Sequence, residues 1–151
     1  MFKPIPLNLT PYPFKLKEID KQLFIFDELR KKDLVLTPEE WVRQHFIQYL
    51  INQKKYPKTL IKLEGGLKLN QLQKRTDILV FDLNGKPNIL IECKATSVKI
   101  NQKVFDQIAS YNIIHQVNYL VVTNGLNHYY CEMDYENKNY RFIETIPDYQ
   151  K

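Results

Sequence analysis

The chain has 151 residues, 44% of them hydrophobic and 26% charged, with a formal charge of +5 and a sequence pI near 9.1. That length and apolar content suit one folded unit with a real core and exclude a disordered chain. No apolar run approaches the roughly 20 residues of a membrane helix, so no membrane association is expected, and the basic balance favours a polyanionic partner.

Residues 1–20 hold four of the eight prolines (Pro4, Pro6, Pro11 and Pro13) and read as an extended arm. Their start, Met1-Phe-Lys-Pro-Ile-Pro-Leu7, has no apolar core ahead of a small-residue cleavage site, so a cytoplasmic protein is expected. Cys93 and Cys131 lack zinc-ligand spacing and make a weak disulfide framework. Gln22 to Phe26 is a short strand candidate, with Asp27 to Asp33 as a solvated connection. Thr37-Pro38-Glu39-Glu40 is a helix start: a capping hydroxyl, proline at the first position and acids in the first turn. The spacing predicts a helix to about Gln53, with Val42, Phe46, Tyr49 and Leu50 on one stripe.

Thr59 to Leu63 reads as a strand, Gly65-Gly66 as a bend, Leu67 to Leu69 as its continuation and Gln71 to Arg75 as a basic connection. Asp77 then begins a strand that runs to Phe81. The Asn84-Gly85 turn joins it, as a hairpin, to a second strand around Ile89-Leu90-Ile91-Glu92-Cys93-Lys94. Val104, Ile108, Tyr111 and His115 recur at helical spacing, predicting a helix over about 101–115. Tyr119 to Thr123 is a buried strand, and His128 to Met133 with Tyr140 to Ile143 a terminal hairpin. His45, His115 and His128 share no motif and read as structural, and the aromatics suit core and strand packing rather than a stripe for stacking bases.

The apolar run before Cys93 is interrupted by Glu92 and Lys94, which alternation places on one face of a buried strand. Charges there read either as a compensated structural pair or as a reaction centre. The hairpin brings Asp77 to the same end. Two carboxylates can hold a hard divalent cation, and a lysine beside them can orient the attacking water, as phosphodiester hydrolysis requires.

In this order, the helix with Glu39 and Glu40, Arg75-Thr76-Asp77, Glu92-Cys93-Lys94 and Gln107-Ile-Ala-Ser-Tyr111 resemble the PD-(D/E)XK nuclease superfamily. Within it, they resemble the N-terminal nuclease domain of type I restriction enzyme R subunits. The resemblance implies an α/β, restriction-endonuclease-like fold, a mixed central β-sheet flanked by α-helices, as a single domain over 21–151 behind the 1–20 arm. It further implies a metal-dependent DNA endonuclease with Mg²⁺ (or Mn²⁺) on Asp77, Glu92 and the Cys93 main-chain carbonyl. Lys94 would then hold the water. Glu39, which shares a face with Val42 and Phe46, would act through a metal-bound water or as a second-ion ligand, ahead of Glu40. Gln107 and Tyr111 would buttress Lys94 or contact the backbone near the scissile phosphate. DNA is the expected partner, with a partner protein or homodimer left open. Nothing in the chain resembles the R-subunit motor, and no Gly-x-x-x-x-Gly-Lys-[Ser/Thr] loop is present. The alternative is a non-catalytic module of the same fold for DNA binding or protein docking.

Overall fold

The computed structural model describes residues 2–63, 76–111 and 116–150, and for Thr76, Asp77 and Tyr111 we describe the backbone alone. The elements run β1 (Leu16–Ile19), β2 (Gln22–Asp27), β3 (Lys32–Val35), α1 (Pro38–Asn52), β4 (Ile61–Leu63), β5 (Thr76–Phe81), β6 (Pro87–Cys93), α2 (Gln102–Tyr111), β7 (Tyr119–Thr123), β8 (His128–Asp134) and β9 (Asn139–Ile143). Strands β4 to β9 form one six-stranded sheet in sequence order. Its pairs are antiparallel except β6 with β7, a parallel pair that needs a crossover, which contains α2. The expected mixed sheet flanked by helices is therefore present.

The β5–β6 hairpin closes on the Asn84-Gly85 turn. Gly85 takes φ +79°, a conformation costly for a side chain, and the Asp82 carboxylate accepts from the Asn84 and Lys86 amides at 2.8 and 2.9 Å. Alternation then sorts the core onto two faces. Ile78, Val80, Ile89, Ile91, Cys93 and Val121 face α1, packed with Val42, Phe46 and Leu50. Leu79, Leu90, Leu120 and Val122 face the α2 side, packed with Phe105, Ile108 and Ala109.

Thr37 caps α1 as expected, accepting from the Glu40 amide at 3.0 Å. The helix is not buried on a single stripe, however. Arg43, Gln44, His45 and Gln48 are buried along with the apolar residues, because β1–β3 and the arm cover what the sheet leaves open. Two expectations are corrected here. Leu16–Ile19 is a strand rather than part of the arm, and residues 27–33 are no solvated connection. Asp27 is fully buried, its Oδ1 accepting from the Leu29 and Arg30 amides to close the β2–β3 turn. A third correction is smaller: Lys58–Leu60 is one 3₁₀ turn, started at Pro57, so the strand begins only at Ile61. The expectations for residues 64–75 lie outside the described residues, as does the end of the helix beyond Tyr111.

A buried polar cluster joins the small sheet to α1. Arg43 donates to both Glu40 oxygens, at 2.8 and 2.5 Å, Gln44 donates to Glu40 Oε2 at 2.8 Å, and the guanidinium lies 3.8 Å from Asp27. Arg43→Ala would leave the buried Glu40 carboxylate without its cation and buried Asp27 with only Arg30, 4.0 Å away. We expect a loss of about 3–5 kcal/mol in urea unfolding, whereas Arg30→Ala, at the exposed margin, should cost less than about 1 kcal/mol.

The arm is tied down along its length. The Trp41 indole donates to the Ile5 carbonyl at 2.8 Å, the Asn8 amide to Gly125 O at 2.8 Å, and His128 Nε2 to Asn8 O at 2.8 Å. Phe14 packs on Trp41 and His45. Burial holds both His45 and His128 below the ordinary imidazole pKa, against the opposing effect of a backbone hydrogen bond at each ring. The unfolded chain therefore binds protons first as pH falls, and stability is lost below the unfolded pKa of about 6.5. Acidification from about pH 7.5 to about 5.5 should lower the unfolding free energy measured in urea, by at most about 1.4 kcal/mol per pH unit for each ring. His128→Gln should blunt that decline.

Candidate active site

The site is built at the end of the sheet where β6 stops. Register pairs Asp77 directly with Glu92, and Glu92 in turn with Val122 on β7. Positions 77 and 92 thus occupy one cross-strand row, on the face that Leu79, Leu90 and Val122 present to α2. Glu92 is only 2% exposed. Its Oε1 lies 3.4 Å from Lys94 Nζ, and its Oε2 is buried with no hydrogen-bond partner among the described residues. A sealed carboxylate oxygen without a donor is expensive. The Lys94 side chain is 34% exposed, so the ammonium sits where buried carboxylate meets solvent.

The backbone around Lys94 is held by the neighbouring strand. Its amide donates to Thr123 O at 2.8 Å, and one residue on, Asn124 clamps two loops. The Asn124 carboxamide donates to Val98 O at 2.8 Å and accepts from the Leu126 and Asn127 amides at 2.9 and 2.8 Å. Thr123 Oγ1 bonds His128 Nδ1 at 2.7 Å and accepts from the Gly125 amide at 2.9 Å. The sequence marks Tyr119 to Thr123 as a strand and carries no sign of this clamp, whose partner Val98 is distant in the chain.

The first half of α1 reaches the same end of the sheet, since Gly125 lies against Val42. It comes from the opposite face to Glu92. Glu40 is committed to Arg43 and Gln44, while Glu39 is half-buried and has no hydrogen bond or ion pair with a described residue. Gln107 is exposed on α2, beside the buried stripe of Phe105, Ile108 and Ala109, and no described bond links it to Lys94. The Tyr111 side chain lies outside the description. The structure therefore brings together Asp77 (by backbone register), Glu92 and Lys94, and leaves Glu39 and Gln107 without a described contact to them.

Hard oxygen donors on adjacent strands, one with an unbonded buried atom, match what a small divalent cation takes. Among the described residues no three His, Cys, Asp or Glu side chains converge on a common point; the Asp77 side chain is not in that set. A groove of about 620 Å³ at the other end of the sheet, lined by Tyr56, Asn88, Tyr119 and Tyr149, includes none of these residues. No described helix is long and apolar enough to cross a membrane.

Neither the curated proteins nor the solved structures yield a match. The family of the type I restriction enzyme R protein N terminus matches residues 38–147. That stretch runs from the first turn of α1 past β9 and includes Glu39, Asp77, Glu92, Lys94, Gln107 and Tyr111. The chain belongs to this nuclease-related family, the N-terminal domains of type I restriction enzyme R proteins.

Proposed function

We propose that the chain is a metal-dependent endonuclease domain that hydrolyses phosphodiester bonds in DNA. The observation that carries this reading is the unbonded, buried Oε2 of Glu92, opposite Asp77 and beside Lys94. Asp77, Glu92 and the Cys93 carbonyl would hold Mg²⁺ or Mn²⁺. Such an ion, when bound, supplies Lewis-acid stabilisation of charge on the phosphate and lowers the pKa of bound water. Lys94 presents a donor at the solvent edge, where its ammonium can orient a water and stabilise negative charge developing on the phosphoryl oxygens. Glu92 keeps that ammonium in place. Glu39 would act through an intervening water, and Gln107 and Tyr111 would contact the nucleic-acid backbone from α2. The basic balance of the chain favours the polyanionic substrate.

Incubation with supercoiled, linear and single-stranded DNA tests this, in Mg²⁺, Mn²⁺ or chelator. We expect cleavage with either metal and none in chelator, with Asp77→Ala, Glu92→Ala and Lys94→Ala each slower by at least about a hundredfold. Plasmid cleavage by Glu92→Ala at the wild-type rate would defeat the assignment.

A calorimetric melt adds an independent reading of the ion. Mg²⁺ at a hundredfold excess over its Kd should stabilise the wild type by about 2.7 kcal/mol, and Glu92→Gln should lose that response. An equal response in both proteins would remove the cation from residue 92, and no response in either would favour a docking module of this fold.

A further inference from the structure

The three N-terminal strands turn one face to α1 and the other to solvent. Ile25 and Asp27 are fully buried on the α1 side, where Asp27 meets Arg43. Alternation sends Phe24 and Phe26 to the opposite face. There, register sets Phe24 between Lys17 on β1 and Val35 on β3, while Phe26 stands beside Lys15, whose carbonyl accepts from its amide at 3.0 Å. Neither ring belongs to either apolar core or to a described aromatic pair, and both are half-buried. Val35 and Ile19 on the same face are 46% and 48% exposed.

The charges on this face decide what covers it. Lys15 Nζ lies 5.8 Å above the Phe26 ring, and Lys17 is 2.6 Å from Asp33, the one acid in these rows. At the two ends of β2, Lys21 and Lys31 stand in the hairpin turns at φ 65° and 54°. Two rings on alternate positions of a middle strand, edged by ammonium groups, offer flat apolar contact and phosphate neutralisation together. Single-stranded nucleic acid presents both a base face and a phosphate at each step, whereas a duplex hides its base faces.

We infer that the outer face of β1–β3 is a stacking platform for single-stranded nucleic acid, with bases on Phe24 and Phe26 and phosphates on Lys15 and Lys17. The placing of Phe24 and Phe26 on one face beside Lys15 and Lys17 depends on β1 and β3, which the sequence did not show as strands. β3 leads through Leu36 and Thr37 straight into α1, so a strand held here is joined rigidly to the helix that carries Glu39.

Binding is measured by fluorescence anisotropy of a labelled oligothymidylate of about 12 nucleotides and of a duplex of equal length, in chelator. Chelator removes any metal from the assay, which separates this inference from the reading of residue 92. Oligothymidylate should bind more tightly than duplex, and Phe24→Leu and Phe26→Leu should each weaken it at least about fivefold. Lys15→Gln and Lys17→Gln should each flatten the salt dependence. Should the leucine variants melt early, the indole introduced by Phe26→Trp provides the readout, its fluorescence quenched as oligothymidylate saturates. Unchanged affinity in folded leucine variants, an unquenched indole, or an absence of binding would each overturn the inference.

Discussion

A glutamate in an interior strand of a six-stranded sheet, nearly sealed from water and with one oxygen unbonded among the described residues, is a costly placement. The surrounding elements make sense as the means of holding it there. β5 and β7 fix the Glu92 backbone on both sides, and an apolar layer of Leu79, Leu90 and Leu120 lies beneath it on the same face. Only one cation, Lys94, approaches among the described residues, and it does so from the rim. The parallel β6–β7 pair ends both strands together, so the Thr123–Asn124 clamp can brace the segment that carries Lys94.

The second constraint is the buried α1. An interior helix with five polar residues among its buried positions needs partners on every side, and it finds them in β2 and the arm. At the junction Arg43 and Gln44 occupy both Glu40 oxygens, Arg43 stands 3.8 Å from Asp27, and the cluster ties the small sheet to the helix by charge as well as by shape. The arm then closes the other side, from Ile5 on Trp41 to Asn8 on Gly125. Position 125 depends on glycine. It takes φ +86°, and a Cβ there would come within 2.9 Å of Leu7 and 3.1 Å of Val42.

What could be read from the sequence follows from how local each signal is. The α1 cap, the Asn84-Gly85 hairpin and the Asp77–Glu92 pairing rest on neighbours in the chain, and those expectations match the structure. β1 and β3 were missed because Leu16–Ile19 and Lys32–Val35 are short, half charged and stable only as flanks of β2. Asp27 was read as part of a solvated connection for a related reason: its burial depends on Arg43, a partner distant in sequence. The same limit applies to the site. Residues 92 and 94 share a face by parity, but which face α1 covers is a tertiary fact. Periodicity alone could not show that Glu39 and Glu40 come from the other side.

Glu40 and Glu92 also make an internal comparison that bears on what Glu92 is for. Both carboxylates are buried, and each has a basic residue nearby. At Glu40, Arg43 and Gln44 between them occupy both oxygens with three hydrogen bonds of 2.5–2.8 Å, the closed arrangement that a structural ion pair needs to offset desolvation. Asp27, whose Oδ2 also lacks a hydrogen bond, still has Arg43 at 3.8 Å and Arg30 at 4.0 Å to balance it. Among the described residues Glu92 has neither compensation for Oε2: its lysine stands 3.4 Å from the other oxygen and is 34% exposed. The same chain can close a buried carboxylate, as it does at Glu40. On the proposed function, Oε2 of Glu92, across from an aspartate position, would be left open for a ligand from outside the chain.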